Sequence, residues 1–106
     1  MDNLDHKITQ LWQDIDTFIH EPVRLGILLL LRIHKTVSFI QIQKTLDVTP
    51  GNLNSHINKL IEKNYVHIEK KFINLRPKTL ITLSSEGNKA IMLYIRKFKE
   101  IMKKIS

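Results

Sequence analysis

The stretch Thr49-Pro50-Gly51-Asn52-Leu53-Asn54-Ser55-His56-Ile57-Asn58-Lys59-Leu60 decides the reading of this chain. Thr49 is suited to cap the orphan amides of a helix. Pro50 takes the first helical position, where its missing N–H costs nothing. Leu53, Ile57, Leu60 and Ile61 then recur at i, i+4, i+7 and i+8, a narrow apolar stripe. The opposite face is centred on Ser55 and carries Gly51, Asn52, Asn58 and Lys59, with no carboxylate until Glu62. A helix surface that is small, amide-bearing and cationic suits the floor of a DNA major groove. Amides and hydroxyls can meet base edges there, and lysine can meet phosphate.

Upstream, residues 5–19 read as an amphipathic helix with Ile8, Leu11, Trp12, Ile15, Phe18 and Ile19 on one side. Pro22 opens a second helix over 22–34. Its Val23, Leu25 and the run Ile27 to Leu31 are apolar almost all round, which predicts a central buried helix. Val37-Ser38-Phe39 is short enough to pair as a small strand. A short helix over 39–46 points Phe39, Ile42 and Leu46 inward, and Asp47-Val48 turns into the opening helix. Residues 39–63 thus form a helix–turn–helix, with Asn64 as a left-handed terminator.

Downstream the period changes from 3.6 to 2. Residues 65–70 and 79–83 are β-prone, and Arg76-Pro77-Lys78 lies between them, which predicts a hairpin over 65–83 with a basic loop from Lys71 to Lys78. Ser84 or Ser85 caps a last helix over 85–105. Ile91, Tyr94, Phe98, Ile101 and Ile105 follow a 3-4-3-4 spacing along it, a heptad seam. The chain is therefore read as one domain over 1–106, α+β and mostly α.

Charge sharpens this. Residues 1–50 hold 5 Lys and Arg against 6 Asp and Glu, whereas residues 51–106 hold 12 against 4, so the whole net charge of +7 falls in the second half. That asymmetry points to a polyanionic partner. The absence of cysteine removes disulfides, thiol catalysis and thiolate metal sites. The longest apolar block, Ile27 to Leu31, is far short of the ~20 residues that span a bilayer. The N-terminus, with Asp2 and Asp5, has no signal-peptide pattern, so a cytoplasmic protein without a membrane partner is expected. Five histidines (His6, His20, His34, His56, His67) show no metal-ligand spacing. The acidic residues form no acid–base pair, and the three glycines form no phosphate loop. No cofactor, metal site or enzymatic activity is expected.

The order helix, helix, short strand, helix–turn–helix, hairpin, long helix resembles the winged-helix transcriptional regulators, and more narrowly the small MarR-like regulators common in archaea. The matching stretches are His20 to Ile27, Gly51 to Ile57, Asn64-Tyr65-Val66, Arg76-Pro77-Lys78-Thr79 and Leu83-Ser84-Ser85-Glu86-Gly87. One departure is the wing's usual glycine, replaced here by Phe72-Ile73-Asn74-Leu75, with Asn74 available for the turn. The resemblance implies that the helix from Pro50 enters the major groove of double-stranded DNA, with Thr49, Gly51, Asn52, Asn54, Ser55, His56, Asn58 and Lys59 at or near it. It also implies that Arg76 and Lys78 on the wing touch phosphate or the minor groove. By helical geometry Asn52, Ser55, Asn58 and Lys59 point outward, while Asn54 and His56 lie on the flanks. Lys70 and Lys71 are read as solvated or long-range attractors.

The first and last helices lie outside the helix–turn–helix. Ile8, Leu11, Trp12 and Ile15 with Ile91, Tyr94, Phe98, Ile101 and Ile105 are read as the interface of a homodimer. An unidentified small-molecule effector could lodge between those helices and the DNA-binding lobe. The rival reading is a winged-helix module that binds protein within transcription or repair machinery.

Overall fold

Residue types at the helix starts account for most of the element boundaries. In the computed structural model, which describes residues 3–106 except for the side chain of Leu4, five helices and three strands follow in the order α1 (Asn3–Gln13), α2 (Pro22–His34), β1 (Thr36–Ser38), α3 (Phe39–Leu46), α4 (Pro50–Glu62), β2 (Val66–Ile73), β3 (Arg76–Leu83) and α5 (Ser85–Ile105). Asp2 of the acidic N-terminus lies outside the described residues. Four helices start on a side-chain cap. Glu21 accepts from the amides of Val23 and Arg24, Ser38 from Gln41, Thr49 from Asn52 and Ser84 from Gly87. Each cap satisfies donors that the first helical turn leaves without a partner. Asp47 (φ 53°) ends α3 and Asn64 (φ 60°) follows α4, both in the left-handed region that Asp and Asn tolerate.

The three strands form an antiparallel sheet in the order β1-β3-β2. Val37 pairs with Ile81, and Val66, Ile68 and Lys70 pair with Leu83, Ile81 and Thr79. The core joins Ile27, Leu28 and Leu31 of α2, Ile42 of α3, Leu53, Ile57 and Leu60 of α4, Val66, Ile81 and Leu83 of the sheet, and Ile91 and Tyr94 of α5. This is a mostly helical winged helix-turn-helix fold. Among the described residues no helix is long and apolar enough to cross a membrane.

Three expectations change. The helix expected over 5–19 stops at Gln13. The Asp16 carboxylate accepts from the amides of Phe18 (2.9 Å) and Ile19 (3.1 Å), and that local alternative to helical bonding closes a turn. Phe18 and Ile19 therefore pack from a loop. The central helix α2 is covered on one side only: Ile33 is 73% exposed and Leu29 is also open. α3, α4, α5 and the small sheet pack against α2, and among the described residues Ile33 and Leu29 stay uncovered on its other side. The wing has almost no loop. Its strands run to Ile73 and from Arg76, joined by Asn74 and Leu75 alone, both with positive φ (51° and 63°). That is the backbone of a type I′ turn.

Candidate nucleic-acid interface

The α4 stripe fixes which of its side chains face outward. Leu53, Ile57 and Leu60 are fully buried, so the 3.6-residue period leaves Gly51, Asn52, Asn54, Ser55, Asn58 and Lys59 exposed. No hydrogen bond or ion pair within the described chain engages the side chains of Asn52, Asn54, Ser55, Asn58 or Lys59. Their donors and acceptors are open to a partner. The Thr49 hydroxyl takes the Asn52 amide at 3.1 Å, so its acceptor role is committed to the cap. Nothing lies within 4 Å of where a Gly51 side chain would stand.

His56 is different. Its ring is turned toward α2, with Nδ1 3.0 Å from Nη1 of Arg24 and 3.6 Å from Oε2 of Glu21. The shorter contact requires Nδ1 to be the acceptor, hence a neutral imidazole. Arg24 is itself held by the Phe18 carbonyl oxygen, to which its Nε donates (2.7 Å), and by the Phe18 ring, 4.5 Å below the guanidinium. His56 thus ties α4 to the start of α2. Burial pushes the His56 pKa down, and Arg24 and Lys59 push the same way against the opposing pull of Glu21. For Glu21, burial alone would raise the pKa, but the amide bonds from Arg24 and Val23 and the nearby His56 and Arg24 bring the net value down.

The sign for stability follows. A histidine whose folded pKa lies below its unfolded value of about 6.5 contributes stability that is complete above that pH and is lost as the pH falls through the folded pKa. Thermal unfolding of the wild type should therefore shift down between pH 7.5 and pH 5 by more than that of His56→Gln. An equal shift in both proteins would refute the lowered pKa of His56.

On the wing, the register pairs Lys71 with Lys78 and Ile73 with Arg76. Alternation puts Lys71, Arg76 and Lys78 on one face of the hairpin. Like charges directly opposite each other destabilise a free hairpin, and a polyanion beside them reverses the sign. Lys71 also contacts Glu69, with Nζ 3.5 Å from Oε1. From the sequence Lys71 reads as a solvated or long-range attractor, with residues 71–78 as a loop. Treating Asn74-Leu75 as a two-residue turn would have placed Lys71 across from Lys78. Pro77 opposes Phe72, one pair inward from the turn-closing pair. That is a non-hydrogen-bonded position, where the missing N–H costs nothing.

The residues expected at a dimer interface divide. Ile15, Ile91, Tyr94 and Ile101 are buried within the chain itself, and Leu11 and Phe98 pack against the same core. The heptad seam of α5 is therefore mainly the contact of α5 with its own domain. Ile8 is half-buried, while Trp12 (55%) and Ile105 (64%) are exposed. Trp12 stands edge-on to His20 at 5.8 Å, and the Tyr94 hydroxyl lies 2.7 Å from His20 Nδ1.

A winged helix DNA-binding domain profile matches residues 23–102. An uncharacterised protein of Methanocaldococcus jannaschii is 35% identical over 83 residues, which cover 78% of this chain and 90% of that protein. The structure of a transcriptional regulator homologue from Pyrococcus horikoshii superposes with a TM-score of 0.82 at 30% identity, covering 95% of this chain and 98% of that one. A mutant MarR of E. coli solved with operator DNA gives a TM-score of 0.63 at 18% identity over 94% of this chain and 80% of that one, a likeness of fold. The chain belongs to the winged helix DNA-binding domain family and has the fold of the MarR-like transcriptional regulators.

Proposed function

We propose that this chain is a homodimeric transcription regulator that binds specific double-stranded DNA sequences, with α4 in the major groove and the wing, residues 71–78, on the backbone or in the minor groove. The observation that carries this reading is the open face of α4. Asn52, Ser55, Asn58 and Lys59 are exposed and uncommitted beside a hairpin bearing Lys71, Arg76 and Lys78. Asparagine can read adenine bidentately, and the lysines and Arg76 suit phosphate. Asn54 is open to join them, while His56 acts from behind by holding α4 to α2.

Shape supports the dimer. The Cα radius of gyration is 16.2 Å and the longest extent is 62 Å. A compact domain of this length would have a radius near 13 Å. The excess comes with a 21-residue α5 whose Leu93, Met102 and Ile105 are exposed, as is Trp12 on the α1 packed against it. Two copies joined about a two-fold axis would bury such faces and set two α4 helices roughly 34 Å apart, matching a palindromic site. Occupying promoter DNA would then block or assist polymerase. A cleft of about 250 Å3 between α5 and the turn after α1, lined by Asp16, Tyr65 and Tyr94, has room for a small-molecule effector.

The test is fluorescence anisotropy with duplexes recovered from a random pool, titrated with salt. Log affinity should fall against log salt by about 0.9 per neutralised phosphate. Arg76→Ala should weaken binding to every sequence and flatten that slope by about 1 for each wing. An unchanged slope removes the wing contact. Binding to no duplex at low salt would favour the protein-binding module. Sedimentation of the free protein should give a dimer mass, and a monomer at micromolar concentration would refute the homodimer alone.

A further inference from the structure

The wing ends in an apolar point. Leu75 is 91% exposed and Phe72 is 74% exposed, and both lie within three residues of the hairpin tip. Leucine fits neither solvent nor backbone there. Its φ of 63° is in the left-handed region, where a side chain with a Cβ is disfavoured and glycine or asparagine is at ease. Either of those would close the same turn without strain and without an exposed apolar side chain. Behind the point stands a collar of cations. Arg76 is the next residue, and the Lys71–Lys78 pair lies two positions back from the closing pair Ile73–Arg76. At the rise of a β-strand that is about 7 Å. The minor groove of B-DNA is about 7.5 Å deep and walled by phosphates. A leucine at the groove floor would therefore bring the collar level with the phosphates.

From this arrangement we infer that Leu75 is an apolar wedge that enters the minor groove, partly opens one base step and bends the duplex. Apolar side chains inserted between base steps kink DNA in this way in minor-groove binders. The occupant is DNA because β2 packs against α4, so a duplex held by α4 is the polyanion nearest the point. The wedge adds specificity at base steps that α4 does not touch. Flexible pyrimidine–purine steps under each wing would be preferred although no hydrogen bond reads them. This inference rests on the DNA-binding reading above, and its test fails separately.

The experiment uses the full chain and duplexes recovered from a random pool, end-labelled for energy transfer and carrying 2-aminopurine at successive steps. The wild type should shorten the end-to-end distance and raise 2-aminopurine fluorescence at one step under each wing. Leu75→Asn keeps a residue at ease in the turn and the whole cationic collar. It should bind within about tenfold of wild type while losing the fluorescence rise and most of the bend. Leu75→Met, still apolar, should keep both. If Leu75→Asn bends DNA and raises fluorescence like the wild type, the wedge is wrong and the DNA-binding reading stands. If the wild type binds no duplex, both fall. If the wild type binds DNA without bending it, yet binds anionic phosphatidylserine vesicles in a way that Leu75→Asn abolishes, the point is a membrane contact and the wedge is wrong.

Discussion

Ser55→Glu is expected to abolish specific DNA binding and leave the fold untouched. Ser55 is exposed on the side of α4 opposite Leu53, Ile57 and Leu60, and its side chain has no hydrogen-bond or ion-pair partner among the described residues. Glutamate is a good helix former, so unfolding free energy should move by no more than about 0.5 kcal/mol. In the groove the same carboxylate would lose water and face base edges and phosphates, and pairing with Lys59 one turn on would draw that lysine off the DNA. Placing like charges together across an interface costs several kcal/mol. A penalty of about 3 kcal/mol is a loss of more than a hundredfold in affinity. Ser55→Gln separates charge from size and should retain most binding. Anisotropy titrations of the three proteins on one selected duplex decide the matter. Wild-type affinity in Ser55→Glu would mean that another face of α4 meets DNA.

The largest stability effect is expected from Gly87→Ala. Gly87 is buried in the first turn of α5, and its amide donates to the Ser84 hydroxyl at 2.9 Å. A Cβ there would collide with the backbone carbonyl oxygen of Tyr65 and come within 2.9 Å of Leu83 Cδ1. The carbonyl cannot step aside freely, since it also accepts from the amide of Ser84 at 3.0 Å. Relief requires lifting α5 away from the junction of α4 and β2. Overpacking of this kind costs typically 1–3 kcal/mol, and a backbone obstacle puts the expected value near the top, about 3 kcal/mol. For a domain of this size that is a fall of roughly 10–20 °C in Tm. Gly51→Ala is the control: it is unobstructed, and helix propensity predicts a gain of up to about 1 kcal/mol. Calorimetry that finds Gly87→Ala as stable as wild type would refute the close approach of α5.

That glycine shows how a motif acquires a cause. In Leu83-Ser84-Ser85-Glu86-Gly87 the sequence offered Ser84 or Ser85 as a cap, and Gly87 carried weight only through resemblance. In the structure Ser84 is the cap and Gly87 the point where helix and backbone meet. His56 shows the reverse. Resemblance put it at the DNA, and a contact with Arg24, 32 residues earlier, turned it inward. The α5 seam was legible as a spacing, but a spacing does not say what lies against it. The monomer's own core took Ile91, Tyr94 and Ile101, and Trp12 and Ile105 stayed in solvent.

The α4 stripe, the caps at Thr49 and at Ser84 or Ser85, the change of period at residue 65 and the gathering of cations beyond residue 50 were all legible in the sequence alone. These are local properties, set by 3.6- and 2-residue periods, by cap chemistry and by composition. The end of α1 and the turn that sets Lys71 against Lys78 are local too, made by the Asp16 carboxylate and the Asn74-Leu75 backbone, but side-chain and turn chemistry rather than periodicity sets them. The inward turn of His56 and the open side of α2 needed the tertiary structure, because each depends on which distant atoms lie beside a residue in space. The Arg24 guanidinium and the limited cover over α2 are neighbours that no periodicity encodes.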